Sequence, residues 1–217
     1  MIELFPTFFN RTEIPPSIVA YKYTSVPDNP DEQALTADQL RSALGDIDDV
    51  SLTDDEANEL ILTAQVWAEN YAGFILFTSV VTTFRNHFPD IGFQLRRYPI
   101  QTGVAVSVEY LIDQVLTTVS VDVFLLAERS FYSILMLKDG EFWPVDGDVQ
   151  ADSVKIVFTA GFGDDATSLP RDIIAGIKAL AVYLFENPGD CNSCVAGSVA
   201  FPPEAARLLG FRKPIKV

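Results

Sequence analysis

The chain has 217 residues, 48% of them hydrophobic, and a formal net charge of −15. That length and apolar content suffice for a buried core and argue against a wholly disordered chain. The charge argues against a nucleic-acid reader that grips phosphate with a basic face, and no run of about 18 apolar residues is present to span a bilayer.

Residues 1–30 are rich in proline and aromatics, and they read as an N-terminal arm with one strand-like run, Ser17 to Tyr23. The opening Met1-Ile-Glu-Leu-Phe-Pro lacks a basic region followed by an apolar run, so it does not read as a secretory signal. The two cysteines, Cys191 and Cys194, are therefore expected in a reducing cytosol. Asp28 to Glu32 reads as a turn.

Two helix starts follow. Thr36-Ala-Asp-Gln39 and Thr53-Asp-Asp-Glu56 both fit the capping box, in which the threonine hydroxyl and the side chain three residues on satisfy each other's orphan N–H groups. Leu40, Ala43 and Leu44 form the apolar face of the first helix. The second carries Ala57, Leu60, Ile61, Ala64, Trp67, Ala68 and Tyr71 at helical spacing, with Gly73 at its end.

From Phe74 the texture becomes β-branched and aromatic. Strands are expected over 74–84, 93–98, 104–110, 119–124, 131–136 and 154–158, several of them alternating with period two. Asp139-Gly140 and Asp146-Gly147 mark turns. Helix resumes after Pro170, with Ile173, Ile174, Ile177, Leu180, Ala181, Leu184 and Phe185 facing inward. Gly176 within it costs about 1 kcal/mol relative to alanine and points to close helix packing. Asn187-Pro-Gly189 ends this helix. A short last helix opens on Pro202-Pro203 and is expected to stop on a left-handed Gly210, with Ala205, Leu208 and Leu209 as its apolar residues. So short a helix must dock on something. The tail beyond it, Phe211-Arg-Lys-Pro-Ile-Lys-Val217, is apolar and basic on an acidic chain. It reads either as a partner-binding segment or as an ordinary terminus.

The residues offer no complete catalytic or metal-binding constellation. Cys191-Asn-Ser-Cys194 has the spacing of a redox dithiol or half a zinc site, but the sole histidine, His87, lies far away in sequence. The pair follows a helix, whereas a thioredoxin-type dithiol follows a strand. Gly161-Phe-Gly-Asp-Asp165 lacks the Lys-Ser/Thr of a phosphate loop. The acids Asp46, Asp48, Asp49, Asp54, Asp55, Glu56 and Glu59 lack the ligand order of a calcium loop, and helix capping with a solvated face accounts for them. No catalytic residue, cofactor or metal is expected.

Several stretches, in this order along the chain, resemble the phage head–tail connector (head-completion adaptor) proteins. They are Leu35 to Leu44, Ala64 to Gly73, Gln94 to Ile100, Val154 to Gly163, Leu169 to Lys178, Tyr183 to Asn187 and Pro203 to Leu209. The arm and the Cys191–Cys194 segment fall outside that pattern. The resemblance implies an α+β fold: a small antiparallel helical core (35–73 and 168–210), an inserted antiparallel β domain (74–160), and a C-terminal helix with an extended tail (211–217), after an arm over 1–34. It implies a non-enzymatic virion protein of the neck, made in the host cytoplasm. Such a protein forms a ring of twelve copies beneath the portal protein, carries the DNA channel towards the tail, and meets a stopper or tail-completion protein; double-stranded DNA passes without specific binding. The C-terminal segment would contact the portal through Arg207, Leu208, Leu209, Phe211, Arg212, Lys213, Ile215 and Lys216. The seven acids would be channel-lining candidates. The alternatives are another neck component, or a small enzyme with its site in the β region.

Overall fold

The computed structural model describes residues 23–45, 52–89, 92–101, 103–129, 132–144, 152–188 and 201–211. Within them the chain runs β1 (Tyr23–Pro27), α1 (Ala37–Leu44), α2 (Asp54–Ala72), β2 (Ser79–Arg85), β3 (Gly92–Leu95), β4 (Ser107–Ile112), β5 (Val115–Thr118), β6 (Phe124–Arg129), β7 (Tyr132–Leu137), β8 (Val154–Ala160), α3 (Arg171–Glu186) and α4 (Pro203–Gly210). The fold is α+β. One antiparallel sheet has the order β1-β2-β8-β4-β5, and a second has the order β3-β7-β6.

Both expected capping boxes are present. Thr36 Oγ1 accepts from the Gln39 N–H at 3.2 Å, while the Gln39 side chain accepts from the Thr36 N–H at 3.0 Å. Thr53 and Glu56 repeat the exchange at 3.3 and 2.9 Å. Gly73 ends α2 with φ 81, the left-handed geometry a C-cap glycine accepts.

Helix α2 buries Ala57, Ile61, Ala64, Ala68 and Ala72. The expected Leu60, Trp67 and Tyr71 are only partly buried against the same core. Helix α3 buries Ile173, Gly176, Ile177, Leu180, Ala181 and Leu184. These two inner stripes pack together with Leu40, Ala205 and Leu209 into one apolar cluster. A Cβ on Gly176 would lie 2.6 Å from Leu209 Cδ2, so glycine there is what lets α4 lie close on α3. Among the described residues, no helix is long and apolar enough to cross a membrane.

The strand expectations need correcting in three places. The run expected over 74–84 becomes β2 only from Ser79. Residues 74–78 instead form a buried crossing between helices and sheet, where Phe74 and Phe77 bridge to Tyr98 and Gly163. The run expected over 119–124 contains a turn: Ser120 O accepts from the Val123 N–H at 3.1 Å, and the Ser120 hydroxyl takes the Asp122 N–H at 3.3 Å. A serine that folds the backbone back in this way breaks an alternating pattern that otherwise reads as strand. Finally, β5 and β6 were not anticipated. β4 and β5 join through Asp113 and Gln114, both left-handed at φ 48 and 64, as a tight hairpin requires.

At the other end, β1 pairs with β2 from Tyr23↔Thr83 to Pro27↔Ser79. The expected strand over 17–23 lies outside the described residues apart from Tyr23. Ala34 and Leu35 enter the helical core. Buried Gln65 holds this approach, accepting from the Ala34 N–H at 2.6 Å and donating to the Glu32 carbonyl at 3.2 Å. The β region has its own apolar cluster, in which Phe88, Phe93, Tyr110, Phe124 and Trp143 make ring contacts.

Candidate functional site

Helix α4 begins without a side-chain cap, at Pro202 with Pro203 in the first turn. Proline suits this start because its φ is preset and its missing N–H would have had no helical partner. Docking supplies the stability that so short a helix lacks. Ala205 and Leu209 are fully buried. Just before the helix, Phe201 stacks on Tyr71 of α2 with centroids 3.9 Å apart and planes 9° apart.

This geometry divides the residues expected to face a portal. Leu209 turns inward onto Gly176 and belongs to the core, so it holds α4 in place and is not a surface anchor. Arg207 is exposed and Leu208 is half-buried. Phe211 is 78% exposed, an apolar ring in water at the end of the helix. Arg212, Lys213, Ile215 and Lys216 lie outside the described residues. Gly210 also departs from expectation: it is the last residue of the helix, and Phe211 after it stays right-handed at φ −62 and ψ −20. With α4 held by Leu209, no left-handed cap is needed to end it, and a Cβ at Gly210 would meet only Tyr71 Oη at 3.9 Å.

The acids divide too. Asp46, Asp48 and Asp49 lie outside the described residues, as do Cys191 and Cys194. Asp54 pairs with the Arg41 guanidinium, which also reaches Asp38 at 2.8 Å and the Leu52 carbonyl at 3.1 Å. Glu56 is the second half of a capping box. Hydrogen bonds from the Thr53 N–H and then its hydroxyl hold its carboxyl below the ordinary value. Both residues thus serve α2 itself. Asp55 and Glu59 are exposed along the outer side of α2.

A carboxylate not singled out in the sequence sits where helices meet sheet. Glu69 Oε1 accepts the Leu76 N–H at 2.8 Å, tying the end of α2 to the crossing segment. Burial pushes its pKa up, while the Leu76 N–H and the charge of Arg97 act in the opposite direction. The Gly161–Asp165 run shapes the return crossing. A Cβ on Gly161 would lie 2.5 Å from the Phe77 carbonyl oxygen, and Asp164 accepts the Thr78 hydroxyl hydrogen bond at 2.5 Å. His87 is exposed in the bend after β2. Among the described residues, no group of three or more His, Cys, Asp or Glu side chains is placed to hold a metal ion.

A groove of about 690 Å³ runs between α3 and α4. Ala43, Ala175 and Ala179 contribute small side chains to its wall, Val182 and Leu208 add apolar ones, and Arg171, Lys178, Glu186 and Glu204 supply charge. In the sequence these α3 residues are the side of the helix that the inward stripe leaves over, and nothing in that spacing alone distinguishes a groove from a solvated face.

No protein-family model matches the chain, and no curated protein matches it. Solved structures do share its fold. A chain of the virion of the native gene transfer agent (GTA) particle aligns with a TM-score of 0.66 at 20% identity, over 91% of this chain and 97% of that one. A chain of the neck of the empty GTA particle, computed with C6 symmetry, aligns at 0.65 and 20% identity over 90% and 97%. One from the neck of the native GTA particle, computed with C12 symmetry, aligns at 0.62 and 20% identity over 90% and 97%.

Proposed function

We propose that this chain is a structural protein of the neck of a phage-like particle, located in the virion between head and tail. Its finer role in this reading is that of a head–tail connector: copies form a ring beneath the portal and extend the DNA channel towards the tail. The observation that carries the reading is the near full-length correspondence with neck chains, over 90% of this chain and 97% of the other. The C6 and C12 symmetries of those neck structures support a ring, with twelve copies as the proposed number.

In this role Arg207, Leu208 and Phe211 face the portal, joined by Arg212, Lys213, Ile215 and Lys216 of the tail, while Leu209 supports them from within. Arginine and aromatic side chains are frequent anchors at interfaces. The channel role is proposed for Asp46, Asp48 and Asp49, since Asp54 and Glu56 serve α2 itself and Asp55 and Glu59 lie on its outer flank. A negative wall repels phosphate over about 8–10 Å at physiological salt, giving DNA no place to stick.

The test is removal of the chain from a host that produces the particle. Filled heads that fail to join tails, rescued by the full-length chain, are the expected outcome; normal particles without the chain would overturn the neck reading. A chain lacking residues 211–217 is expected to fold and yet fail to rescue. Rescue by that truncated chain would move the head contact away from the C-terminal segment.

A further inference from the structure

A closed ring needs two different surfaces on each copy, because every subunit presents one face to the neighbour ahead and another to the neighbour behind. The helical layer carries such a pair. Helices α2 and α3 pack by their inner stripes. At about 100° per residue, the residues opposite those stripes point to opposite flanks of the layer.

On α2 the outer stripe is Asp55, Glu59, Leu62 and Val66, with Leu62 36% exposed and Val66 53% exposed. It combines two acids with two aliphatic side chains that leave part of their surface in water in a lone copy. On α3 the outer stripe includes Arg171, Ala175 and Lys178, which form one wall of the α3–α4 groove. Neither Arg171 nor Lys178 forms an ion pair among the described residues. The groove also holds Glu186 and Glu204, so the complement of the acidic, aliphatic ridge is its α3 wall alone, where Arg171 and Lys178 stand beside small alanines. The alanines leave room for side chains the size of Leu62 and Val66, and burying an exposed aliphatic side chain favours association.

We infer that the α3–α4 groove is the seat for the outer stripe of α2 from the next copy in the ring, with Asp55 and Glu59 meeting Arg171 and Lys178 and with Leu62 and Val66 against the alanine wall. The inference rests on the neck-ring reading, to which it adds the faces that join copies.

Disulfide trapping tests it on the full-length chain with Cys191 and Cys194 replaced by serine. One preparation carries Val66→Cys and another Ala175→Cys, both at exposed positions. Mixing them under mild oxidation is expected to give a cross-linked dimer, and a chain carrying both substitutions a ladder of dimers, trimers and larger species. Either preparation alone is expected to give none. Val66→Cys dimers formed alone as readily as in the mixture would mean a symmetric α2–α2 contact and overturn the proposal. Arg171→Glu with Lys178→Glu should weaken the ladder at least about tenfold, which corresponds to about 1.4 kcal/mol. Asp55→Lys with Glu59→Lys on the doubly cysteine-substituted, charge-reversed chain should restore it; no restoration would refute the charge pairing. Electron microscopy separates this proposal from the reading beneath it. Rings seen without the cross-link would discard this interface and keep the ring. A cross-linked ladder from a chain absent from particles would keep the interface and discard the neck.

Discussion

The two apolar clusters differ in their share of small and of aromatic side chains. Between the helices, α2 brings Ala57, Ala64, Ala68 and Ala72 against the larger Ile173, Ile177, Leu180 and Leu184 of α3, and Gly176, Ala181 and Ala205 add further small residues. In the β region it is built from rings, with Phe93 3% and Trp143 9% exposed and Phe88 stacked on Trp143 at 5.1 Å. Where small residues let helix axes approach, as at Gly176 under Leu209, the layer is vulnerable to added volume. Aromatic rings fill space between twisted sheets and leave large voids when truncated. Gly176 and the ring cluster therefore fail by opposite routes.

Substitutions can break that contrast. Phe93→Ala empties the ring cluster and is expected to cost about 3–5 kcal/mol, measured by denaturant unfolding. A loss below about 1 kcal/mol would show that the cluster collapses freely and is not the close-packed core it looks to be.

Gly176→Ala probes the helical side by filling. Its Cβ would press on Leu209, and overpacking of about 1–3 kcal/mol outweighs the gain of about 1 kcal/mol in helix propensity. The sharper measurement is the same change in a Leu209→Ala background. With the clashing side chain gone, alanine at 176 should become stabilising. A destabilisation that is the same in both backgrounds would show that the glycine answers to something other than α4.

Next in size is Thr53→Ala, which removes the cap of α2 and should cost about 1 kcal/mol in thermal unfolding. The same change has no counterpart at α4, which has no side-chain cap to remove.

The smallest effect concerns the joint between the two regions. Burial raises the folded-state pKa of Glu69 above its ordinary value of 4.5, so the folded chain holds this proton more tightly than the unfolded one. The resulting stabilisation is complete below the ordinary value and is lost as pH rises through the folded value. Glu69→Gln keeps an acceptor for the Leu76 N–H and should flatten this part of the stability–pH curve, leaving the variant relatively more stable above the window. An unchanged curve would show that the carboxylate is not the titrating group.

The helices were legible because their signals are local. Thr36 with Gln39 and Thr53 with Glu56 each close a capping box within four residues, and Gly73 ends α2 by its own conformational freedom. The sheet was less legible, since its decisive features depend on side chains and partners that periodicity does not register. Asp113-Gln114 makes a left-handed hairpin without glycine, and the Ser120 hydroxyl turns a run that alternates like a strand. The candidate surface was legible in part. Arg207 and Phe211 kept the exposure expected of a C-terminal segment. Leu209 did not, because two adjacent leucines on a two-turn helix point about 100° apart and only packing decides which faces the core. The groove was missed for a similar reason: it exists only because α3 and α4 lie side by side.

The two crossings between helices and sheet have a further consequence. After β1, the chain re-enters the sheet from the helices at Ser79 and returns to them at Ala160, and these two residues sit opposite each other as ladder partners. Just outside them Phe77 and Gly163 are bridged, with the Thr78 N–H donating to the Gly163 carbonyl at 2.9 Å. A segment whose two ends meet can be lengthened, trimmed or exchanged in descent without moving what it is attached to. A change in the chain between Ser79 and Ala160 is held at one rung of the ladder and need not alter the spacing of the helices.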